Sequence, residues 1–148
     1  MTDQADFWRE AMRKGMGQTA FLRALGGDLE AYEGGRGRIR LPFAPHLVGD
    51  PETGVIHGGV LTAMLDQVCG MAVGSALRKP AAIATLDLRI DYMKPAVPRV
   101  DIVVESECLK IAHEVAFARG IAFQTERDEP VAIATATFML TPIAGAPA

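Results

Sequence analysis

The sequence predicts an α+β domain in which an antiparallel sheet wraps around one long central helix, with short helices at the N-terminus. Two observations carry this. Residues 56–77, IHGGVLTAMLDQVCGMAVGSAL, are apolar or small almost throughout, and between His57 and Arg78 Asp66 is the one formally charged side chain. Four segments with strand alternation then follow with no helix between them. Consecutive strands without crossovers pair antiparallel. One buried helix beside one large sheet implies a sheet curled around it. The 148 residues are enough for one domain with a sizeable core.

The chain divides into an N-terminal helical cover (1–26), the main domain (27–141) and a tail (142–148) expected to be mobile. Residues 5–14 have helical spacing, with Phe7, Trp8, Ala11 and Met12 on one side and Asp3 or Asp6 as a cap. Residues 18–25 form a second short helix stopped by Gly26-Gly27. Residues 29–32 and 37–43 read as strands joined through Gly34-Gly35; Ile39, Leu41 and Phe43 alternate with Arg38 and Arg40. A long loop, PHLVGDPETGVIHGG, precedes the central helix. Long loops inside compact domains are often functional.

The central helix spans residues 59–77. Gly70 and Gly74, four apart on one face, suggest the close approach of another backbone. Arg78, Lys79 and Pro80 end it. Four strands follow within 81–94, 99–111, 114–124 and 131–140. The first sets Leu86, Leu88, Ile90 and Tyr92 against Asp87, Arg89 and Asp91. The last two carry rows of small residues, Ala116, Ala118, Gly120 and Ala122, then Ala132, Ala134 and Ala136. Such rows fit a tight neighbour, the helix or another sheet. A single layer of this kind leaves a sheet edge open, for which homo-oligomerisation is the expected remedy.

Composition narrows the function. Net charge is −3 and no basic run occurs, which argues against nucleic-acid binding. Cys69 and Cys108 have no CxxC spacing and read as buried free thiols of a reducing, cytoplasmic compartment. The N-terminus has no apolar signal core. Residues 58–77 approach the length of a membrane span. Their four glycines, Thr62, Asp66, Gln67 and Ser75 point instead to a core helix, so no membrane partner is expected. His46, His57 and His113 form no metal-ligand pattern, and no metal is expected.

Three features can do chemistry. Unpaired N–H groups of Gly58 and Gly59, at the positive end of a helix, can hold a carbonyl oxygen as charge develops on it. Asp66 lies two turns on, with Thr62, Cys69 and Gly70 along the same side. His57 precedes the turn and can orient a group. Together they suit acyl transfer to water. The structural alternative is that Asp66 bonds backbone across an oligomer interface and His57 caps the helix; spacing alone does not separate the two.

HGGVLTAMLD, followed by a buried helix and TLDLRIDYMKPA, resembles the hotdog-fold acyl-CoA thioesterases, in the branch named for phenylacetic-acid degradation. The resemblance covers residues 27–140. It implies a sheet around the helix, dimers with two composite sites at the interface, and often a dimer of dimers. It maps the carboxylate that attacks the thioester or activates water onto Asp66, the polarising N–H onto Gly58 and the supporting histidine onto His57. Gly59 and Thr62, beside them, are expected to touch substrate. Arg78, Lys79, Arg89 and Lys94, chosen by position and charge, are candidates for the phosphates of coenzyme A, which enters as part of the substrate; no separate cofactor is expected. In one departure, Pro51 stands six residues before the histidine, where many relatives carry Asn or Gln, and Gly70 stands where some place a hydroxyl residue. The expectation is an acyl-CoA thioester hydrolase; the alternatives are a non-catalytic acyl-CoA-binding hotdog module and a hotdog dehydratase or hydratase.

Overall fold

The computed structural model describes residues 4–143. The capping role of Asp3 or Asp6, the packing of Trp8 and the state of the tail past residue 143 lie outside what is described. Two helices open the chain, α1 (Gln4–Gly17) and α2 (Ala20–Leu25). Thr19 caps α2, its Oγ1 accepting from Leu22 N at 3.1 Å, and Gly26 closes the helix in the left-handed region at φ 80°. Then come β1 (Asp28–Glu33), β2 (Arg36–Leu41), a short hairpin of β3 (Val48–Asp50) and β4 (Val55–Ile56), the long helix α3 (Gly58–Ala76), and β5 (Ala81–Tyr92), β6 (Ile102–Ala112), β7 (Val115–Phe123) and β8 (Ala132–Pro142).

Six strands form one antiparallel sheet in the order β1-β2-β6-β7-β8-β5. Its concave face holds α3, the first of the two tight neighbours that the rows of small residues allowed. Ala116, Ala118, Gly120, Ala122, Ala132, Ala134 and Ala136 are all buried. A Cβ at Gly120 would stand 3.0 Å from both Cys69 Sγ and Leu65 Cδ2, so the strand comes as close to the helix as a glycine permits. Ser106 Oγ donates to Val68 O at 2.6 Å and fixes the same approach from β6. By length and composition α3 could cross a bilayer, but 67% of its apolar window is buried inside the sheet. Each large side chain so buried contributes about 1.5–3 kcal/mol.

The structure corrects four expectations. No second backbone lies against Gly70 and Gly74; side chains of α1 and β8 pack at Gly70 and of α1 and β1 at Gly74. A Cβ at Gly74 would meet Tyr32 Oη at 2.8 Å and Met16 Sδ at 3.2 Å. The stretch expected as one long loop before α3 contains a 3-10 turn at Pro45–Leu47 and the β3–β4 hairpin. On α1, Phe7 and Ala11 are exposed, and among the described side chains Met12 and Met16 meet α3 at Gly74. In β5 a bulge between Thr85 and Asp87 shifts the phase of the alternation. Leu86 is therefore 53% exposed, while Leu88 and Ile90 are half-buried. The convex face of the sheet is held by ion pairs, Arg38 and Arg40 with Glu30, Arg38 and Arg127 with Glu105, and Arg119 with Glu107.

Candidate active site

Most of α3 is enclosed. Its partly open stripe runs along the first half of the helix, through Gly59, Thr62, Ala63, Asp66 and Gln67. These positions recur at intervals of three and four, one face of a helix. The face is open because β5, the strand on that side, is the last in the sheet and curves past it with its outer edge unpaired.

His57 begins the helix. Its N–H donates to Leu47 O at 2.9 Å, and its Nδ1 accepts from Gly59 N at 2.9 Å. With Nδ1 an acceptor, the proton of the neutral ring sits on Nε2. The histidine thus caps the helix, as the structural alternative expected. This also corrects the expectation for Gly59, whose N–H is already spent on His57. Gly58 N–H has no hydrogen-bond partner among the described residues. It is the donor left over at the positive end of a nineteen-residue helix.

The seat of His57 depends on a glycine. A Cβ at Gly49 would lie 2.7 Å from His57 Cα and 2.9 Å from its Cβ. A backbone atom cannot yield, so Gly49→Ala must move β3 or the helix start. Overpacking of this kind costs about 1–3 kcal/mol. The variant is expected to melt about 2–12 °C lower by calorimetry.

Asp66 is half-buried and accepts from Thr85 Oγ1 at 2.8 Å. Its other oxygen has no hydrogen-bond or ion-pair partner among the described residues. Cys69 follows it on the helix but turns inward and is fully buried. Burial, aided by the negative charge of Asp66, pushes its thiol up to about 12, so it supplies no thiolate at neutral pH.

Sequence inspection missed Thr85 and Tyr92, both on β5. Tyr92 Oη donates to Gly58 O at 3.1 Å and lies 2.7 Å from Thr62 Oγ1, which is itself 3.3 Å from Gly58 O. The phenol clamps the peptide that follows the open N–H. An aromatic with a polar tip at the strand's end was the available signal, but nothing in the spacing tied it to Gly58. Losing a net hydrogen bond of about 0.5–1.5 kcal/mol, Tyr92→Phe should melt about 1–6 °C lower, and kcat should fall about threefold to tenfold as the clamp on the Gly58 peptide loosens.

The four expected phosphate-binding cations are not gathered here. Arg78 and Lys79 lie just past the far end of α3. Arg89 pairs with Asp91 and Lys94 with Glu129, each at 3.1 Å. Pro51 is exposed in the turn of the β3–β4 hairpin, so no amide reaches the site from that position. Among the described residues no cluster of three or more metal-ligating side chains occurs.

Residues 53–131 match the thioesterase superfamily. The chain is 33% identical over 133 residues to the medium/long-chain acyl-CoA thioesterase YigI of Escherichia coli, covering 81% of this chain and 84% of that protein. It is 35% identical over 100 residues to a candidate esterase of Halobacterium salinarum. That alignment covers 66% of this chain and 65% of the relative, just under two thirds of its length. A Pseudomonas aeruginosa protein of known crystal structure superposes with a TM-score of 0.75 at 34% identity, covering 93% of this chain and 98% of that one.

Proposed function

The chain belongs to the thioesterase superfamily, and from that premise we propose that it hydrolyses acyl-CoA thioesters to a free acid and coenzyme A. The observation that carries the reading is the pairing of one unspent helix-terminal N–H, at Gly58, with one carboxylate, Asp66, on the open face of the same helix. Gly58 N–H polarises the thioester carbonyl. The Asp66 carboxylate attacks the carbonyl carbon or takes the proton of an attacking water. His57 holds the helix start in place and presents Nε2–H to the substrate.

One site needs two subunits. Gly58 and Asp66 are eight residues apart, about 12 Å along the helix axis. A carbonyl within about 3 Å of the donor cannot also lie about 3–3.5 Å from the carboxylate of the same chain. Two chains related by a two-fold axis, helices antiparallel, bring Gly58 of one to the partner's Asp66. The unpaired edge of β5 is where such a partner pairs. It carries Thr85 and Tyr92, which hold Asp66 and Gly58, and exposes Leu86 and Tyr92 at 53% and Met93 beyond it at 58%. The protein is therefore a homodimer, or a dimer of such dimers, and sedimentation should find no stable monomer at micromolar concentration. For the phosphates of coenzyme A the candidate cations are Arg78 and Lys79 past the end of α3 and Arg89 and Lys94 on or just past β5, the last two exchanging their present partners Asp91 and Glu129 for phosphate. Free Cys69 and Cys108 suit a cytoplasmic protein.

The direct test is thiol release from a panel of aliphatic and aryl acyl-CoAs. Turnover of any member supports hydrolysis. A panel with no turnover, together with thermal stabilisation by the same compounds, would overturn it in favour of a binding module.

A further inference from the structure

Two hydroxyls meet at the start of α3, and the hydrogen bonds they begin lead to the imidazole of His57. Tyr92 Oη and Thr62 Oγ1 are 2.7 Å apart, and they lie 3.1 Å and 3.3 Å from Gly58 O. Each hydroxyl carries one proton. Two hydroxyl oxygens this close share a proton, which leaves the other for Gly58 O. The shorter route runs from Thr62 to Tyr92 to Gly58 O. Gly58 O and Gly59 N–H belong to one planar amide. A bond accepted at the oxygen polarises that amide and strengthens its N–H as a donor, by about 10–30% per bond in a chain. Gly59 N–H in turn donates to His57 Nδ1 at 2.9 Å. The ring is exposed, and its Nε2 has no partner among the described residues. The seat of the ring is specific. A Cβ at Gly59 would stand 2.9 Å from His57 Nδ1 and 3.2 Å from its Cε1, so a glycine is needed for the ring to fold back onto the turn.

We infer that Tyr92 and Thr62 are positioning residues for His57: through the Gly58–Gly59 amide they hold the ring proton on Nε2 and strengthen that N–H as a donor to substrate. The inference rests on the thioesterase reading and adds positioning residues to it. Which nitrogen of a histidine carries the proton is set by the bond that the other nitrogen makes. Here the other bond comes from a backbone N–H, which can only donate, so Nδ1 stays unprotonated while the bond lasts. A firmer Gly59 N–H makes that bond firmer, and the Nε2–H is then aimed before the substrate arrives. Donors fixed in advance stabilise developing charge without having to reorganise. Thr62, expected to touch substrate, acts in this arrangement from behind the turn, through Tyr92.

The test is a cycle of variants read by kcat and by NMR. The pair Tyr92→Phe with Thr62→Val strips both hydroxyls from Gly58 O and keeps the aromatic ring and the β-branch. His57→Ser keeps an oxygen that can cap the helix and removes the imidazole. With His57 in place, the pair should lower kcat by at least about tenfold. In the His57→Ser background the same pair should cost less than about twofold, because the group it acts through is gone. Equal losses in both backgrounds would mean that the hydroxyls serve the Gly58 donor alone, and would overturn the inference. The spectra are taken without substrate at about pH 8.5, where imidazole is neutral. The wild-type ring should carry its proton on Nε2. In the pair variant the Gly59 amide proton should move upfield and the Nδ1 signal downfield, as the bond between them weakens. Signals that keep their wild-type positions, or a wild-type ring protonated on Nδ1, overturn the inference as well. Since the spectra need no turnover, a wild type inert towards every thioester overturns the hydrolase reading and leaves the spectra to decide this one.

Discussion

Asp66→Asn should lower kcat for thioester hydrolysis by about three orders of magnitude, the mid-range for removal of a positioned base, while the protein stays folded. Asn is nearly isosteric and keeps an acceptor oxygen for Thr85 Oγ1, so the bond at 2.8 Å survives. What disappears is the charge, and with it both the nucleophile and the base. Asp66 is half-buried and makes no ion pair among the described residues, so its replacement leaves no cation stranded. The melting temperature should therefore move by no more than a surface substitution allows, within about 0.5 kcal/mol. Asp66→Glu is a sharper companion. It keeps the charge but displaces it by about one bond, and a misplacement of about 1 Å can cost 100-fold. Thiol release is the readout for both. Undiminished hydrolysis in Asp66→Asn would sink the mechanism, because no other group in the site takes its place: Cys69 is buried and protonated.

The two halves of this site differ in how far the sequence disclosed them. Asp66 was visible because a lone carboxylate in an apolar run is costly unless it is used. The helix start was visible because glycines break a pattern that otherwise favours helix. Both signals are local, and the helix they define ends within a residue of where it was expected. Thr85 and Tyr92 lie nineteen and twenty-six residues beyond Asp66, and their roles come from where β5 passes the helix. Alternation reports which face a strand residue takes, not which residue of another element it meets. The bulge at Leu86 then inverts even that face midway along the strand. The use of Gly59 N–H by His57 was equally hidden, since two adjacent glycines at a helix start look alike until one ring turns back on one of them. The cations were chosen by position and charge, and neither reports pairing: in the subunit Arg89 and Lys94 each hold a neighbouring acid.

Gly58→Pro removes one hydrogen-bond donor and little else. Gly58 is the first helical residue, where proline is well tolerated because no intrahelical bond is lost. Proline also demands an extended residue before it, and His57 already has φ −61° and ψ 132°. The added Cβ would sit 3.5 Å from Tyr92 Cε1, an ordinary contact. The variant should therefore fold and dimerise, yet turn over about 100-fold to 1,000-fold more slowly, the usual cost of losing an oxyanion donor. Mixing it with Asp66→Asn then tests where the site lies. If each site joins Gly58 of one chain to the partner's Asp66, a heterodimer of the two variants has one site with both groups intact and one with neither. Co-expressed chains should recover close to half of the wild-type activity per heterodimer, although each variant alone is nearly inactive. If both groups act within one chain, every site in the mixture carries a defect and nothing is recovered. The 12 Å between Gly58 and Asp66 along α3 predicts recovery.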